Sequence, residues 1–146
     1  MKTIIFDMDG TLSNPSHRQH FMNKEKKDWS SFYVAAAHDE PNKEILEMYL
    51  MYKMNPEYET VIVTGRPEKY RLLTIQWMNK HDIPMSEIYM RPDGDFQQDY
   101  TLKSGIYNKL TEEGHNIVLA IDDRQQVVDM WRAQGILCLQ CAKGDF

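Results

Sequence analysis

Three short apolar runs in this chain each stop at residues that carry chemistry. Ile4-Ile5-Phe6 stops at Asp7-Met-Asp9, Tyr58-Glu-Thr-Val-Ile-Val-Thr64 stops at Gly65-Arg66, and Asn116-Ile-Val-Leu-Ala-Ile121 stops at Asp122-Asp123. Apolar runs of this length read as buried strands. Two shorter runs, Ile88-Tyr-Met90 and Ile136 to Gln140, read the same way. Between the strands lie apolar residues at helical spacing: Ile45, Leu46, Met48, Tyr49 and Tyr52, then Leu72, Leu73, Ile75, Trp77 and Met78. Ile106, Tyr107 and Leu110, and finally Val127, Val128, Met130 and Trp131, repeat the pattern. Gly114 and Gly135 read as helix stops, and Pro67 as a residue suited to the first turn of a helix. Strand and helix therefore alternate, which predicts an α/β fold: a five-stranded parallel sheet, right-handed crossovers and helices on both faces.

A parallel sheet aims all its strand ends in one direction, and open α/β sheets bind ligands at that carboxyl edge. Asp7, Asp9, Asp122 and Asp123 are thus expected to converge. Four carboxylates in one place repel one another, and a cation resolves the conflict. Oxygen-only donors without His or Cys favour Mg²⁺ over zinc. Gly10 lets the chain turn away after the acids, and Thr11 offers a hydroxyl to orient a neighbouring carboxylate. Lys103 stands at the start of its helix and, taken alone, reads as a solvated charge. Arg18, Arg66, Arg91 and Arg124 fall after strands, and guanidinium forks match phosphate oxygens.

The 146 residues suffice for one domain with a proper core, so residues 1–146 read as a single unit. Ser13 to Pro41 is polar and irregular; an insertion there, directly after the first acids, is expected to sit over the site as a small cap. The net charge of −5 argues against broad adhesion to nucleic acid, but not against a locally basic pocket. No apolar stretch approaches the length of a membrane span, and the N-terminus reads as strand and motif rather than signal peptide, so the expected location is cytoplasmic. Cys138 and Cys141 stand three apart on a strand and point to opposite faces, which disfavours a shared metal or disulfide. His17 and His20 have helical spacing but no third ligand; contact with substrate from the cap suits them better than a metal.

The string Phe6-Asp-Met-Asp-Gly-Thr-Leu12, followed in order by Thr64-Gly-Arg66, Lys103 and Asp122-Asp123, resembles the four signatures of the haloacid dehalogenase-like (HAD) phosphohydrolases. From Val61 to Phe146 the chain is similar to the phosphatase half of phage-type polynucleotide kinase/3′-phosphatases, above all in Leu119-Ala-Ile-Asp-Asp-Arg-Gln-Gln-Val-Val-Asp-Met-Trp-Arg132. The region between His20 and Glu59 matches weakly, and the kinase half has no counterpart.

The resemblance implies a HAD-like Rossmannoid three-layer fold with a small cap after the first strand. It implies Asp7 as nucleophile, forming an aspartyl-phosphate, and Asp9 as acid and then base. Thr64 and Lys103 would stabilise the phosphoryl group. Mg²⁺ would be held by Asp7, Asp9 through its main-chain carbonyl, Asp122 and Asp123. Thr11, Arg18, Gly65, Arg66 and Arg91 are the implied substrate contacts. The implied substrate is a 3′-phosphorylated nucleic-acid end or nucleotide, and a separate kinase or ligase in end repair is a partner the resemblance allows. Two other readings stand beside it: a HAD phosphatase for another small phosphomonoester such as a 5′-nucleotide, and a binding module that keeps the fold without catalysis. Oligomeric state is not legible.

Overall fold

The computed structural model describes residues Met1–Phe146. Five strands form one parallel sheet: β1 (Lys2–Phe6), β4 (Tyr58–Pro67), β5 (Glu87–Arg91), β6 (Asn116–Asp122) and β7 (Leu137–Gln140). Their order across the sheet is β5-β4-β1-β6-β7. The chain thus starts in the middle, builds outward through β4 to β5, then returns to lay β6 against the other side of β1. That reversal makes the junction of β1 and β6 the switch point where α/β sheets open a crevice. Asp7 follows β1, and Asp122 ends β6.

The apolar runs are buried on both sides because successive side chains alternate across the pleat. Ile4, Phe6, Ile62, Leu119 and Ile121 face one core, shared with Tyr49 of α2 (Lys43–Lys53) and with Trp77 and Met78 of α3 (Arg71–Lys80). Ile5, Val61, Val63 and Ala120 face the other. There they meet Leu110 of α4 (Asp99–Glu112) and Val127, Val128 and Trp131 of α5 (Gln125–Ala133). The five parallel strands and the two helical layers are those expected from alternation. Gly114 and Gly135 lie just beyond α4 and α5 with φ of 91° and 82°, the left-handed geometry of a helix stop.

Three local features differ from the sequence reading. β4 continues through Gly65 and Arg66 to Pro67, which is extended (φ −63°, ψ 148°) and precedes a short 3₁₀ turn, Glu68–Tyr70, rather than starting a helix. Arg91 is the last residue of β5 rather than a loop residue, and Arg66 lies within β4. Lys103 stands in the second turn of α4, because that helix already begins at Asp99.

The stretch after β1 is also more ordered than its composition suggests. It holds β2 (Ser13–Asn14), a 3₁₀ helix Ser16–Phe21, α1 (Trp29–Val34), a second 3₁₀ helix Ala35–His38 and β3 (Glu40–Pro41). β2 and β3 pair antiparallel and close the excursion at its base. The Asp28 side chain accepts the Ser31 backbone N–H and caps α1. No helix is long and apolar enough to cross a membrane.

Candidate active site

Asp7 is buried immediately beyond β1, and each of its oxygens is held. Thr11 Oγ donates to Oδ2 at 3.0 Å, and Lys103 Nζ donates to Oδ1 at 2.9 Å. The same Nζ donates to Asp122 Oδ2 at 2.8 Å. The lysine reaches both strand ends because α4 packs under the edge they share, and its side chain is 3% exposed. Asp122 Oδ1 accepts the backbone N–H groups of Asp123 and Arg124, which fixes the turn into α5.

Asp7, Asp122 and Asp123 each offer an oxygen within 4.8 Å of the others, and all three are buried. Burial first, then the charge of Asp122, pushes the Asp7 carboxyl well above its usual range, although Lys103 pulls the other way. Asp123 is pushed up to about 6, by burial and again by Asp122. Burial would lower the Lys103 ammonium, but Asp122 and Asp7 overcome it and raise it. Asp7 therefore holds its proton more tightly where a cation would otherwise balance its charge, and Asp123 does so to a lesser degree. A donor set made only of carboxylate oxygens fits a hard divalent ion such as Mg²⁺.

The Asp9 side chain stands outside this group. It accepts from Arg66 through Nε (3.0 Å to Oδ2) and Nη2 (2.7 Å to Oδ1), and from Arg18 Nη2. Burial alone would raise its pKa, but Arg66 and then Arg18 outweigh it and hold the carboxylate well below the usual range. Both arginines are themselves buried. Arg66 Nη1 donates to Thr74, and Arg18 donates to Phe32 O. Arg18 is also gripped by Asp39, which accepts from Nε at 2.9 Å and Nη2 at 2.7 Å. His17 Nε2 lies 2.7 Å from Asp39, and the Trp77 indole donates to the Asp39 backbone carbonyl.

A third cluster rims the edge. Asp99 pairs with Arg91 and with Arg124 Nη1 (2.8 Å), and Arg91 Nε donates to Gly65 O. Gly65 has no room for a side chain: a Cβ would stand 2.7 Å from Asp99 Oδ1. Gly10 has φ of +85°, and a Cβ there would fall on the Asp123 carboxylate. The Thr64 hydroxyl is buried and accepts the Arg66 N–H.

The structure thus brings together Asp7, Thr11, Lys103, Asp122 and Asp123, with Thr64 on the adjacent strand. It ties Arg18 and Arg66 to Asp9, and Arg91 to Asp99. Asp39 and Asp99 carry no motif in the sequence; Asp39 meets Arg18 from 21 residues away, and Asp99 meets Arg91 from 8 and Arg124 from 25. An acid in the first turn of a helix was the only local signal for Asp99, and Asp39 had none. Cys138 and Cys141 are free, and burial raises their thiols to about 12 and about 11. His20 stacks on Phe21 and reaches no cluster of acids.

The family described as the polynucleotide kinase PNKP phosphatase domain matches this chain over residues 1–146. A protein of Autographa californica nuclear polyhedrosis virus, named as a bifunctional polynucleotide kinase/RNA ligase, is 26% identical over 132 residues. The match takes in 90% of this chain and 18% of that protein. A solved Pnkp1/Rnl/Hen1 RNA repair complex contains a chain similar at TM-score 0.86 and 29% identity, covering 99% of this chain and 43% of that one. The HAD domain of the effector Lem4 from Legionella pneumophila shares the fold at TM-score 0.54 and 14% identity, over 99% of this chain and 88% of that one. This chain spans less than half the length of the two repair proteins.

Proposed function

Because this chain belongs to the polynucleotide kinase PNKP phosphatase-domain family and is a HAD-type phosphatase, we propose that it removes 3′-phosphates from nucleic-acid ends or nucleotides through an aspartyl-phosphate on Asp7. The observation that carries the reading is the placement of Lys103 between Asp7 and Asp122 at the switch point, with Asp9 set apart between two arginines. One carboxylate is left for attack and one for proton transfer, each with its own cation.

Asp7, Asp122 and Asp123, with the Asp9 main-chain carbonyl, would hold Mg²⁺. When bound, the ion would neutralise charge on the phosphoryl oxygens and orient them. An Asp7 oxygen forms the bond to phosphorus while the bond to the sugar 3′-oxygen breaks. Thr11 keeps the attacking carboxylate turned toward the crevice, and Lys103 and the Thr64 hydroxyl meet the developing oxygen charge. The leaving oxygen takes its proton from Asp9. Asp9 takes up that proton from solvent as the phosphate dianion enters, because the negative charge raises its pKa against the pull of Arg66 and Arg18. In the second half, Asp9 takes a proton from water, water attacks phosphorus, and the bond to Asp7 breaks to release phosphate. Arg91 and Gly65 line the substrate side of the edge. Residues 1–146 act as one domain, with 13–41 as its cap, and a separate kinase or ligase acts on the same ends.

A panel of 3′- and 5′-phosphorylated nucleotides and oligonucleotides tests this directly. The 3′ set is expected to turn over faster, with Mg²⁺ required. Asp7→Asn is expected to abolish turnover and Asp9→Asn to slow it by a factor of about 10²–10⁴. Equal or better turnover of the 5′ set would move the assignment to a 5′-nucleotidase. Full activity in Asp7→Asn would remove the covalent step.

A further inference from the structure

The chain has three tryptophans, and two of them are core residues. Trp29 is 50% exposed, although it begins a helix over the site. Its ring is stacked on Tyr33, one helical turn on, at 5.8 Å and 20°. Tyr33 in turn leans on Tyr70, at 5.1 Å, next to the carboxyl end of β4. Beneath them the buried Phe32 meets Trp29 edge to face at 6.1 Å, and the Arg18 guanidinium lies 4.2 Å from the other side of that ring. Arg18 is the residue bonded to Asp9. One aromatic ring and one guanidinium therefore link Trp29 to Asp9. Burial, then the fields of Asp9 and Asp99, hold the Tyr33 phenol above its ordinary range.

The outer side of the same ring carries positive charge. Lys27 Nζ stands 5.7 Å from the Trp29 centroid, and Lys24 Nζ 5.5 Å from that of Phe21. Lys24, Lys26 and Lys27 are all exposed. Lys24, Lys26 and Lys27 outnumber Glu25 and Asp28, so in a chain of net charge −5 this stretch is net positive beside a supported, exposed indole. A flat ring held from behind offers its free face at little entropic cost, and every nucleobase has a face to match it. Lys27, whose Nζ stands over the Trp29 ring on an exposed and flexible stem, swings to the neighbouring phosphate as a base takes its place on the ring.

We propose that Trp29, backed by Tyr33 and flanked by Lys24, Lys26 and Lys27, is a stacking platform for the single-stranded nucleic acid that runs away from the terminal phosphate. The inference rests on the end-phosphatase reading and deepens it. It assigns the strand behind the phosphate to the Ser13–Pro41 excursion rather than to the Asp99 rim. It also makes a chain end with several nucleotides a better substrate than a mononucleotide.

Two measurements decide it. The first compares kcat/KM for a 3′-phosphorylated single-stranded hexanucleotide and a 3′-phosphorylated mononucleotide. The native chain is expected to favour the hexanucleotide, and Trp29→Ala to reduce that ratio roughly ten-fold, within the range for loss of one base–aromatic stack. Trp29→Phe keeps most of the ratio, and Lys27→Ala flattens the log–log salt dependence of hexanucleotide binding by about 0.7.

The second uses Asp7→Asn protein, which holds substrate without turnover. Its tryptophan fluorescence is expected to be quenched by the hexanucleotide, with or without a 3′-phosphate, and the quench to vanish when Trp29→Phe is added. Equal kcat/KM for both lengths, a ratio unmoved by Trp29→Ala, or no quench would each overturn the platform. If no 3′-phosphate is hydrolysed at all, the end-phosphatase reading falls, and the quench alone then keeps or removes the platform.

Discussion

Lys103→Met tests the centre of the site. Methionine has nearly the reach of lysine and fits an apolar stem, but it removes the ammonium that donates to Asp7 at 2.9 Å and to Asp122 at 2.8 Å. The three buried acids then face one another with no cation among them. Removing one partner from a buried charge cluster costs about 3–5 kcal/mol. In a chain of this size that lowers Tm by about 10 °C.

The loss depends on pH in a direction the acids dictate. Asp7 lies above its ordinary range, and Asp123 near 6, although Lys103 lowers both. Without the lysine they rise further, so the folded state binds more protons than the unfolded chain. The stability from a raised carboxyl is fully present below its unfolded pKa and is lost as pH rises through its folded one. The Tm deficit is therefore expected to be smaller at pH 5 than at pH 8. Thermal melts followed by circular dichroism in chelator at both values provide the measurement. An equal deficit at the two pH values would mean that the lysine contributes packing alone, and the electrostatic account would be wrong.

Mg²⁺ displaces the protons on Asp7 and Asp123, so it is expected to raise Tm at pH 7.5 and hardly at pH 5. At a free concentration 100-fold above Kd the gain is about 2.7 kcal/mol, or roughly 5–10 °C; a flat Tm up to millimolar Mg²⁺ would exclude the site. Asp39→Asn leaves the Arg18 charge short of its bidentate partner in a fully buried position. Urea unfolding is expected to show a loss of about 3 kcal/mol, and a loss below about 1 kcal/mol would show that Asp9 alone satisfies the arginine. Gly10→Ala forces a left-handed φ on a side chain that collides with Asp123. It is expected to cost about 2 kcal/mol and to weaken Mg²⁺ binding in calorimetry; unchanged affinity would free Asp123 from a ligand role.

The sheet was legible because burial on both faces leaves a mark in one dimension. Residues such as Ile4, Ile5 and Phe6 must all be apolar when alternate side chains enter different cores. The acids were legible for the complementary reason: a polar residue that directly follows such a run can only stand at the sheet edge. Pro67 was misread because its fixed φ suits an extended residue as well as a first helical turn, and the neighbouring β5 register decided between them. The arginines were read as free to meet phosphate because a guanidinium's partner is set by tertiary packing. Asp39 grips Arg18 from 21 residues away, and Asp99 holds Arg124 from 25.

Those hidden pairings change the charge balance of the site. From sequence, four acids converge and repel. In the folded chain Arg18 and Arg66 compensate Asp9 and Asp39, and all four of these side chains are removed from the sum. What remains is Asp7, Asp122 and Asp123 around Lys103. Three carboxylates against one ammonium leave two negative charges, which is the charge of a single divalent cation. A second such ion would overcharge the pocket, and a monovalent one would leave a proton on Asp7 or Asp123, which in the proposed mechanism would blunt the attack on phosphorus. On the proposed reading, the two arginines beside the site are what makes one Mg²⁺ the electrostatic fit, since without them the unpaired Asp9 and Asp39 would add two more negative charges to the edge.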